Sequence, residues 1–428
     1  MFPMSDCSDR STVLLTATGC CELAGAPADA QVRAAPDRGI PGTMQLPGIS
    51  QRQPCRTLVS KLTLRHFFWG GDIALPRLWA FHDLMAARED VDYHLHVVGP
   101  YHGPAADLSA RPYVTTRLRR PRLRRPEAWI IRGWNRPQLL WRAASARLLG
   151  VATIMWAESP GKTFEARTLG DRLRIAARTL LLPILLRLHA RTSTMLGTGE
   201  LATTNFAALA PGRTIAHFPY PDATADALLE LPAATFEAEL PRLLFVGSFT
   251  RTKAVDLLAA ACEELWASGA RFEVSYVGSG PEESALAAHV ARSEGRARLH
   301  GFATGDELAD HVRSAHALVL PSRRDGWGLV VHEALAAGVP VICTTACGAR
   351  ALVEESGCGA VIAPGDTDAL AAAIRAQLDL TRDERLRLGE RGRTVAAGIT
   401  MSRLADELVE HARQADGALR RRGRAHAL

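Results

Sequence analysis

Apolar and polar positions along this chain switch repeatedly between a period of two and a period near 3.6, which marks alternating strands and helices. From Arg56 onward, residues 57–64 are apolar enough for a first strand. Gly70-Gly71-Asp72 follows. Leu75, Leu78, Trp79, His82 and Met85 then recur at helical spacing, with Asp72 placed to cap that helix. Residues 93–98, 128–131 and 151–156 are strand-like, and a helix over 138–149 separates the last two. Residues 228–241 carry Pro232 and Pro241 in a mixed acidic stretch that suits an interdomain linker. A cleaner alternation comes next. It predicts strands over 242–246, 272–277, 317–320, 339–343 and 360–362, and helices over 255–266, 282–292 and 367–378.

Strands that alternate with helices build parallel sheets covered on both faces. The expectation is an α/β chain of two doubly wound, Rossmann-like domains facing a central cleft. Residues 1–55 lack periodicity and read as a flexible extension; 56–227 form the first domain, 228–241 the linker, 242–400 the second domain, and 401–428 a helix with a basic tail. That helix is expected over 402–418 and the tail over 420–424 is expected to be disordered. Ligands bind such sheets beyond the carboxyl ends of the strands, so the loops that follow strands are the informative ones.

Composition sharpens this only in places. The chain has 428 residues, 47% hydrophobic and 22% charged, as a globular protein of more than one core has. There is no apolar run of spanning length and no basic segment leading into an apolar core, so the expected location is cytoplasmic. Cys7, Cys20, Cys21, Cys55, Cys262, Cys343, Cys347 and Cys358 form no CxxC pair and have no zinc spacing, and read as buried or incidental thiols. The net charge of +6 comes almost wholly from arginine, because lysine occurs only at Lys61, Lys162 and Lys253. Arg117, Arg119, Arg120, Arg122, Arg124 and Arg125, broken by Pro121 and Pro126, suit either a solvated loop or contact with anionic lipid. Residues 172–191 set an apolar stretch between arginines, as a domain helix or a helix seated on a membrane surface would. No aromatics interleave the arginine run, which argues against nucleic acid.

Three loops carry chemistry. Gly247-Ser248-Phe249-Thr250-Arg251-Thr252-Lys253 joins a strand to a helix, and brings Arg251 and Lys253 to the positive end of that helix, an arrangement suited to a diphosphate. Gly278-Ser279-Gly280 is a tight turn beside the cleft; Glu283 stands where a dinucleotide fingerprint needs its third glycine. The most specific segment runs from Pro321 through Ser322, Arg323, Arg324, Asp325, Gly326, Trp327, Gly328 and Leu329 to Glu333-Ala334. A strand ends, a glycine-bracketed loop follows and a helix starts, with Asp325 and Glu333 separated by seven residues. Amides at the helix start bind phosphate oxygens, and the two carboxylates accept from sugar and ribose hydroxyls.

This segment resembles the Glu-x7-Glu signature of the retaining GT-B glycosyltransferases of family 4, whose usual form is P-S-x-x-E-G-F-G-x-x-x-x-E-A-x-A-x-G-x-P-V. The 247–253 loop, Gly278-x-Gly280, His300-Gly301-Phe302 and Pro364-Gly365-Asp366 support it, strongly over 242–378 and weakly over 61–221. Asp325 replaces the first Glu, Trp327 the common Phe, and Ser248 an Arg often found at the diphosphate; Lys253 matches the phosphate lysine.

The resemblance implies transfer of a sugar, with retention, from a nucleoside-diphosphate sugar to a glycan or lipid-linked acceptor, in envelope or exopolysaccharide synthesis. It implies no metal and no cofactor beyond the donor. Lys253 and Arg251 would stabilise the leaving group, Glu333 would hold the ribose, Asp325 would orient the sugar and Phe302 would flank the base. Gly70 and Gly71 would approach the donor from the other domain. The family often has a histidine facing the sugar where this chain reads Trp156-Ala157-Glu158, so Glu158 is either its substitute or a structural cap. Neither Asp90-Val91-Asp92 nor Asp366-Thr367-Asp368 reads as a metal site, and the second suits a helix cap. A nucleotide-sugar epimerase of the same architecture and a non-catalytic nucleotide-sugar-binding protein are the alternatives; the broken glycine fingerprint disfavours an oxidoreductase.

Overall fold

The computed structural model describes residues 61–69, 78–99, 108, 110–115, 126–133, 136–158, 193–211 and 215–425. The 1–55 extension, Gly70, Gly71, Asp72, the 117–125 arginine run and the 172–191 stretch lie outside the described residues.

Among the described residues seven strands form the first sheet: β1 (Leu62–Trp69), β2 (Val91–Val98), β3 (Val114–Thr115), β4 (Glu127–Arg132), β5 (Ala152–Glu158), β6 (Ser193–Thr198) and β7 (Ile215–His217). They pair in parallel in the order β3-β2-β1-β4-β5-β6-β7. The second sheet contains β8 (Arg242–Val246), β9 (Glu273–Val277), β10 (Ala297–His300), β11 (Ala317–Leu320), β12 (Val341–Thr344) and β13 (Gly359–Ile362). It too is parallel, in the order β10-β9-β8-β11-β12-β13. In each sheet the strand order reverses beside the first strand, between β1 and β4 and between β8 and β11. A doubly wound sheet opens its ligand crevice there.

The first strand is displaced from its expected position. Residues 57–60 lie outside the described residues, and β1 continues past Leu64 to Trp69. Arg65 and His66 break the apolar run yet are buried at 5% and 0% exposure, because each finds a distant partner. Arg65 Nε donates to Glu127 at 2.7 Å, and His66 Nδ1 lies 3.0 Å from the Tyr93 hydroxyl. Asp72 and Leu75, the expected cap and start of the next helix, lie outside the described residues; within them that helix runs Trp79–Ala87. The 228–241 segment is tied down rather than loose. Leu228 still belongs to helix Ala223–Glu230, Ala234 N donates to Ala337 O at 2.9 Å, and Arg393 donates to the carbonyls of Leu228, Leu229 and Leu231.

The expected tail also differs. Helix Met401–Ala425 continues through residues 420–424. Leu404, Ala405, Leu408, Val409 and Ala412 make one buried stripe that packs back onto β4, β5, β6 and helix Trp79–Ala87. Arg88–Asp406 and Arg413–Asp90 ion pairs fasten its exposed side, the latter at 2.6 Å. The last helix therefore covers the first sheet. Asp366, expected as a cap, accepts from Ala369 N at 2.9 Å, and Asp90 pairs with Arg88 and Arg413. Cys262, Cys343, Cys347 and Cys358 are buried free thiols. Among the described residues no helix is long and apolar enough to cross a membrane, and no group of three or more His, Cys, Asp or Glu gathers as a metal site.

Candidate active site at the second switch point

The loop after β8 turns back on itself because glycine lets two backbones touch. A Cβ on Gly278 would lie 2.0 Å from Gly247 O, and one on Gly280 would lie 2.5 Å from Phe249 O. Phe249 N donates to Ser279 O and Glu282 N donates to Phe249 O, both at 2.9 Å, so the 247–249 and 278–282 turns form one unit. Phe249 is buried beneath it and Ser248 is exposed. Arg251–Lys253 form one turn of 3-10 helix capped by the Thr250 hydroxyl, and Ala254 takes a left-handed φ of 57° to start helix Val255–Ala267. Phe302 follows Gly301, whose carbonyl accepts from Gly278 N at 3.1 Å; its ring is 71% exposed. An aromatic face at that position is open to stack on a flat base.

The loop after β11 is held from two sides. Arg323 N donates to Thr252 O at 2.9 Å, and Asp325 N donates to Ala346 O at 3.0 Å. Arg323 spans Asp256 with two bonds of 2.9 and 2.8 Å and also donates to Arg251 O at 2.7 Å. It thereby locks the two phosphate-side loops together, and its charge pulls the Asp256 carboxyl below the usual range. Sequence reading gave Arg323 no role, because its partners lie 67 and 72 residues away. Lys253 Nζ meets Asp325 Oδ2 directly, and the Asp325 side chain is only 9% exposed. Gly328 takes φ 90° at the start of helix Leu329–Ala337, where a Cβ would meet Cys347 Sγ at 2.6 Å. Ser322 is fully buried, with its carbonyl accepting from Thr344 Oγ1 at 2.7 Å. Leu329 is half-buried, and Glu333, 1% exposed, lies on the second turn of that helix. Trp327 is 3% exposed, with its ring 6.0 Å from His217, so it packs toward the first sheet.

The first sheet faces this loop with the ends of its strands. Glu158 ends β5 and is solvent-exposed; a Cβ on Gly326 would lie 2.3 Å from its Oε2. Burial holds the Arg324 guanidinium below its usual pKa, and the Glu158 charge opposes that shift in part. Gly199 after β6 abuts Gly348, and Gly348 abuts the Gly326 carbonyl. Arg350 pairs with Glu200 at 2.9 Å across the same seam. The structure thus gathers Lys253, Asp325, Gly326 and Glu158 in one place. Arg251, Ser248 and Phe302 are exposed, and Trp327 and Glu333 are buried.

A family model described as Glycosyl transferases group 1 matches residues 240–379, which contain every one of these second-sheet loops. A D-inositol 3-phosphate glycosyltransferase of Kineococcus radiotolerans is 35% identical over 228 residues, 48% of this chain and 51% of the relative. The amylovoran biosynthesis glycosyltransferase AmsK of Erwinia amylovora is 30% identical over 141 residues, 31% of this chain and 35% of the relative. The chain spans about half or less of the length of the curated relatives it matches. Among solved structures, Anabaena Alr3699/HepE in complex with UDP superposes with a TM-score of 0.61 at 14% identity, covering 82% of this chain and 98% of that one. Sucrose-phosphate synthase of Thermosynechococcus elongatus superposes at 0.59 with 20% identity, covering 84% and 100%. The two-sheet architecture is GT-B. Inside that frame, the glycosyl transferases group 1 region supplies the Lys253–Asp325 contact and the first sheet supplies Glu158.

Proposed function

We propose that this protein is a retaining glycosyltransferase that takes a sugar from a nucleoside-diphosphate sugar. The observation that carries the reading is the Lys253–Asp325 contact at the β8–β11 switch point, with Glu158 lying against Gly326 from the opposite sheet. A diphosphate carries more charge than one carboxylate and competes for Lys253. Lys253, Arg251 and the helix-start amides then stabilise the charge that develops on the departing diphosphate. Asp325, released from the lysine, accepts from hydroxyls of the transferred sugar. Glu333 holds the ribose, and the exposed Phe302 ring offers a platform for the base. The contacts need no metal in this reading. Glu158 faces the reacting side of the sugar from the first sheet.

The acceptor in this reading is a glycan or lipid-linked sugar of envelope or exopolysaccharide assembly, met at the cytoplasmic face of a membrane. The polysaccharide-biosynthetic relative supports that role. Trp141 (66% exposed) and Leu148 (82%), seven residues apart on helix Pro137–Leu148 beside exposed Arg136 and Arg147, support contact with an anionic bilayer. Thermal unfolding with UDP-, GDP- and ADP-sugars tests the donor site. One of them should raise Tm saturably in the wild type and far less in Lys253→Met; no response to any of the three overturns the proposal.

A further inference from the structure

Among the described residues the chain crosses between the two sheets twice. The first crossing runs from β7 into helix Ala223–Glu230. Phe218 and Tyr220 still belong to the first sheet: both are buried, with ring centroids 5.0 and 6.2 Å from that of Trp156. Helix Ala223–Glu230, started by Asp222, belongs to the second, packing on helices Gly305–Arg313, Leu329–Ala337 and Arg382–Ala396. Arg393 fixes it there by donating to the carbonyls of Leu228, Leu229 and Leu231, and to that of Ala336 at 2.6 Å. The second crossing leads from helix Arg382–Ala396 to helix Met401–Ala425, which is fastened to the first sheet by its buried stripe and by Arg88–Asp406 and Arg413–Asp90. The joints between the two bodies are therefore residues 221–222 and 397–400.

One bond spans both joints. Asp226 lies in the first turn of helix Ala223–Glu230, half-buried, and its Oδ2 accepts from Met401 N at 3.0 Å. Met401 opens the last helix, where an amide has no partner within its own helix and a carboxylate is favoured by the helix dipole. The bond thus ties a helix held by the second sheet to a helix held by the first. The helix that carries Glu333 reaches the same place, because His332 Nε2 lies 3.2 Å from the carbonyl of Ala396, just before the second joint. Away from the joints, the bodies meet again where Glu158 lies against Gly326, Gly199 abuts Gly348 and Arg350 pairs with Glu200 at 2.9 Å. A rotation at the joints displaces that seam by the angle times the length of the arm, and a few residues at element ends suffice to absorb it.

We propose that Asp226 is a positioning residue: by holding the start of the last helix against helix Ala223–Glu230, it sets the angle at which the first sheet brings Glu158 to the Asp325 loop. The role of Glu158 in that sentence rests on the glycosyltransferase reading; the joint itself does not. Without the bond each body keeps its own core, and the two turn more freely about 221–222 and 397–400. The loops carrying Lys253, Asp325 and Phe302 all leave the second sheet, so they keep their geometry when the joint loosens.

The test breaks the bond from either end. Asp226→Ala removes the acceptor, Asp226→Asn keeps a carbonyl oxygen for Met401 N, and Met401→Pro removes the donor at the first position of a helix, where proline is tolerated. Spin labels on p-acetylphenylalanine in place of Leu148 and Glu294, exposed residues of the first and second bodies, report the distance between them, and UDP affinity is measured by calorimetry. A bond of this kind should hold the open arrangement back about five- to tenfold. Asp226→Ala and Met401→Pro should therefore both broaden the distance distribution, at least doubling its width, while Asp226→Asn stays near wild type and UDP affinity stays within about twofold in all three. An unchanged distribution in both bond-breaking variants overturns the proposal. So does Asp226→Asn behaving like Asp226→Ala while Met401→Pro behaves like wild type, which assigns the effect to charge. If one bond-breaking variant fails to fold, the other decides. Failure of UDP to bind any form, with the distance response intact, overturns the donor reading and leaves the joint standing.

Discussion

The two sheets share one strand order and place a cation at the same topological point, yet they treat that charge in opposite ways. In the second sheet Lys253 meets Asp325, a carboxylate brought to it from the next loop. In the first sheet Arg132 lies between aromatic faces, and among the described residues its Nε and Nη1 have no hydrogen-bond partner. An internal ion pair keeps a site stable until a ligand of greater charge density displaces one member. A cation enclosed by aromatic faces is held by packing and by attraction to the ring faces instead. The difference separates a crevice closed by an ion pair from one closed by packing.

The largest effect should come from removing the two cations in turn. Lys253→Met removes the proposed diphosphate contact and leaves the Asp325 carboxylate buried. We expect kcat/KM to fall about 10²–10³-fold, or roughly 3–4 kcal/mol of transition-state stabilisation. Tm without ligand should fall as well, because a buried pair broken on one side is destabilising. Arg132→Met should leave the ligand-free Tm unchanged or raise it, since it removes a buried charge that no carboxylate among the described residues pairs with, and retains apolar contact with Trp156. If both variants shift the ligand-free Tm in the same direction, the contrast between the two crevices fails.

The seam between the sheets offers a second test. A Cβ on Gly348 would lie 2.3 Å from the Gly326 carbonyl oxygen, and Gly199 packs on the other side, so neither backbone has room to yield. Gly348→Ala should destabilise the protein by about 1–3 kcal/mol, as overpacking does. At Gly326 the new Cβ would meet only the end of the Glu158 side chain, at 2.3 Å. Gly326→Ala should therefore lower activity with little change in Tm. Gly301→Ala has nothing within 4 Å and serves as the control. Equal Tm losses at 348 and 326 would show that Glu158 is part of the packing rather than a mobile group at the site.

The second crevice was far more legible in the sequence than the first. Its groups lie on two strand-to-helix loops with fixed spacing, and glycine, proline and carboxylate positions mark the loop directly. Lys253 is one of three lysines in an arginine-rich chain, which added to that signal. The first crevice is assembled from His66, His82, Tyr93, Arg132, Trp156 and Tyr220, one or two from each of several elements. A strand-ending arginine looks solvated in sequence, and only tertiary packing encloses it. The same cause moved the first strand, because Arg65 and His66 break an apolar pattern that remote Glu127 and Tyr93 complete. Strands β3, β6 and β7 escaped reading for a different reason: each is short or polar, and each takes its identity from the neighbour it pairs with.

The smallest effect separates the sheets by acidity. His66, His82 and His96 in the first sheet and its covering helix are all buried and held below their usual pKa, with burial the leading cause; His82 and His96 lie at about 3. The unfolded chain binds protons at these positions below about pH 6.5 while the folded chain does not. Their stabilisation is therefore fully present above pH 6.5 and is lost as pH falls toward 3. Each histidine should cost about 1.4 kcal/mol per pH unit once the medium is well below 6.5. Denaturant unfolding at pH 7.5 and 5.5 should show His82→Asn losing about 1.4 kcal/mol less than wild type over that interval.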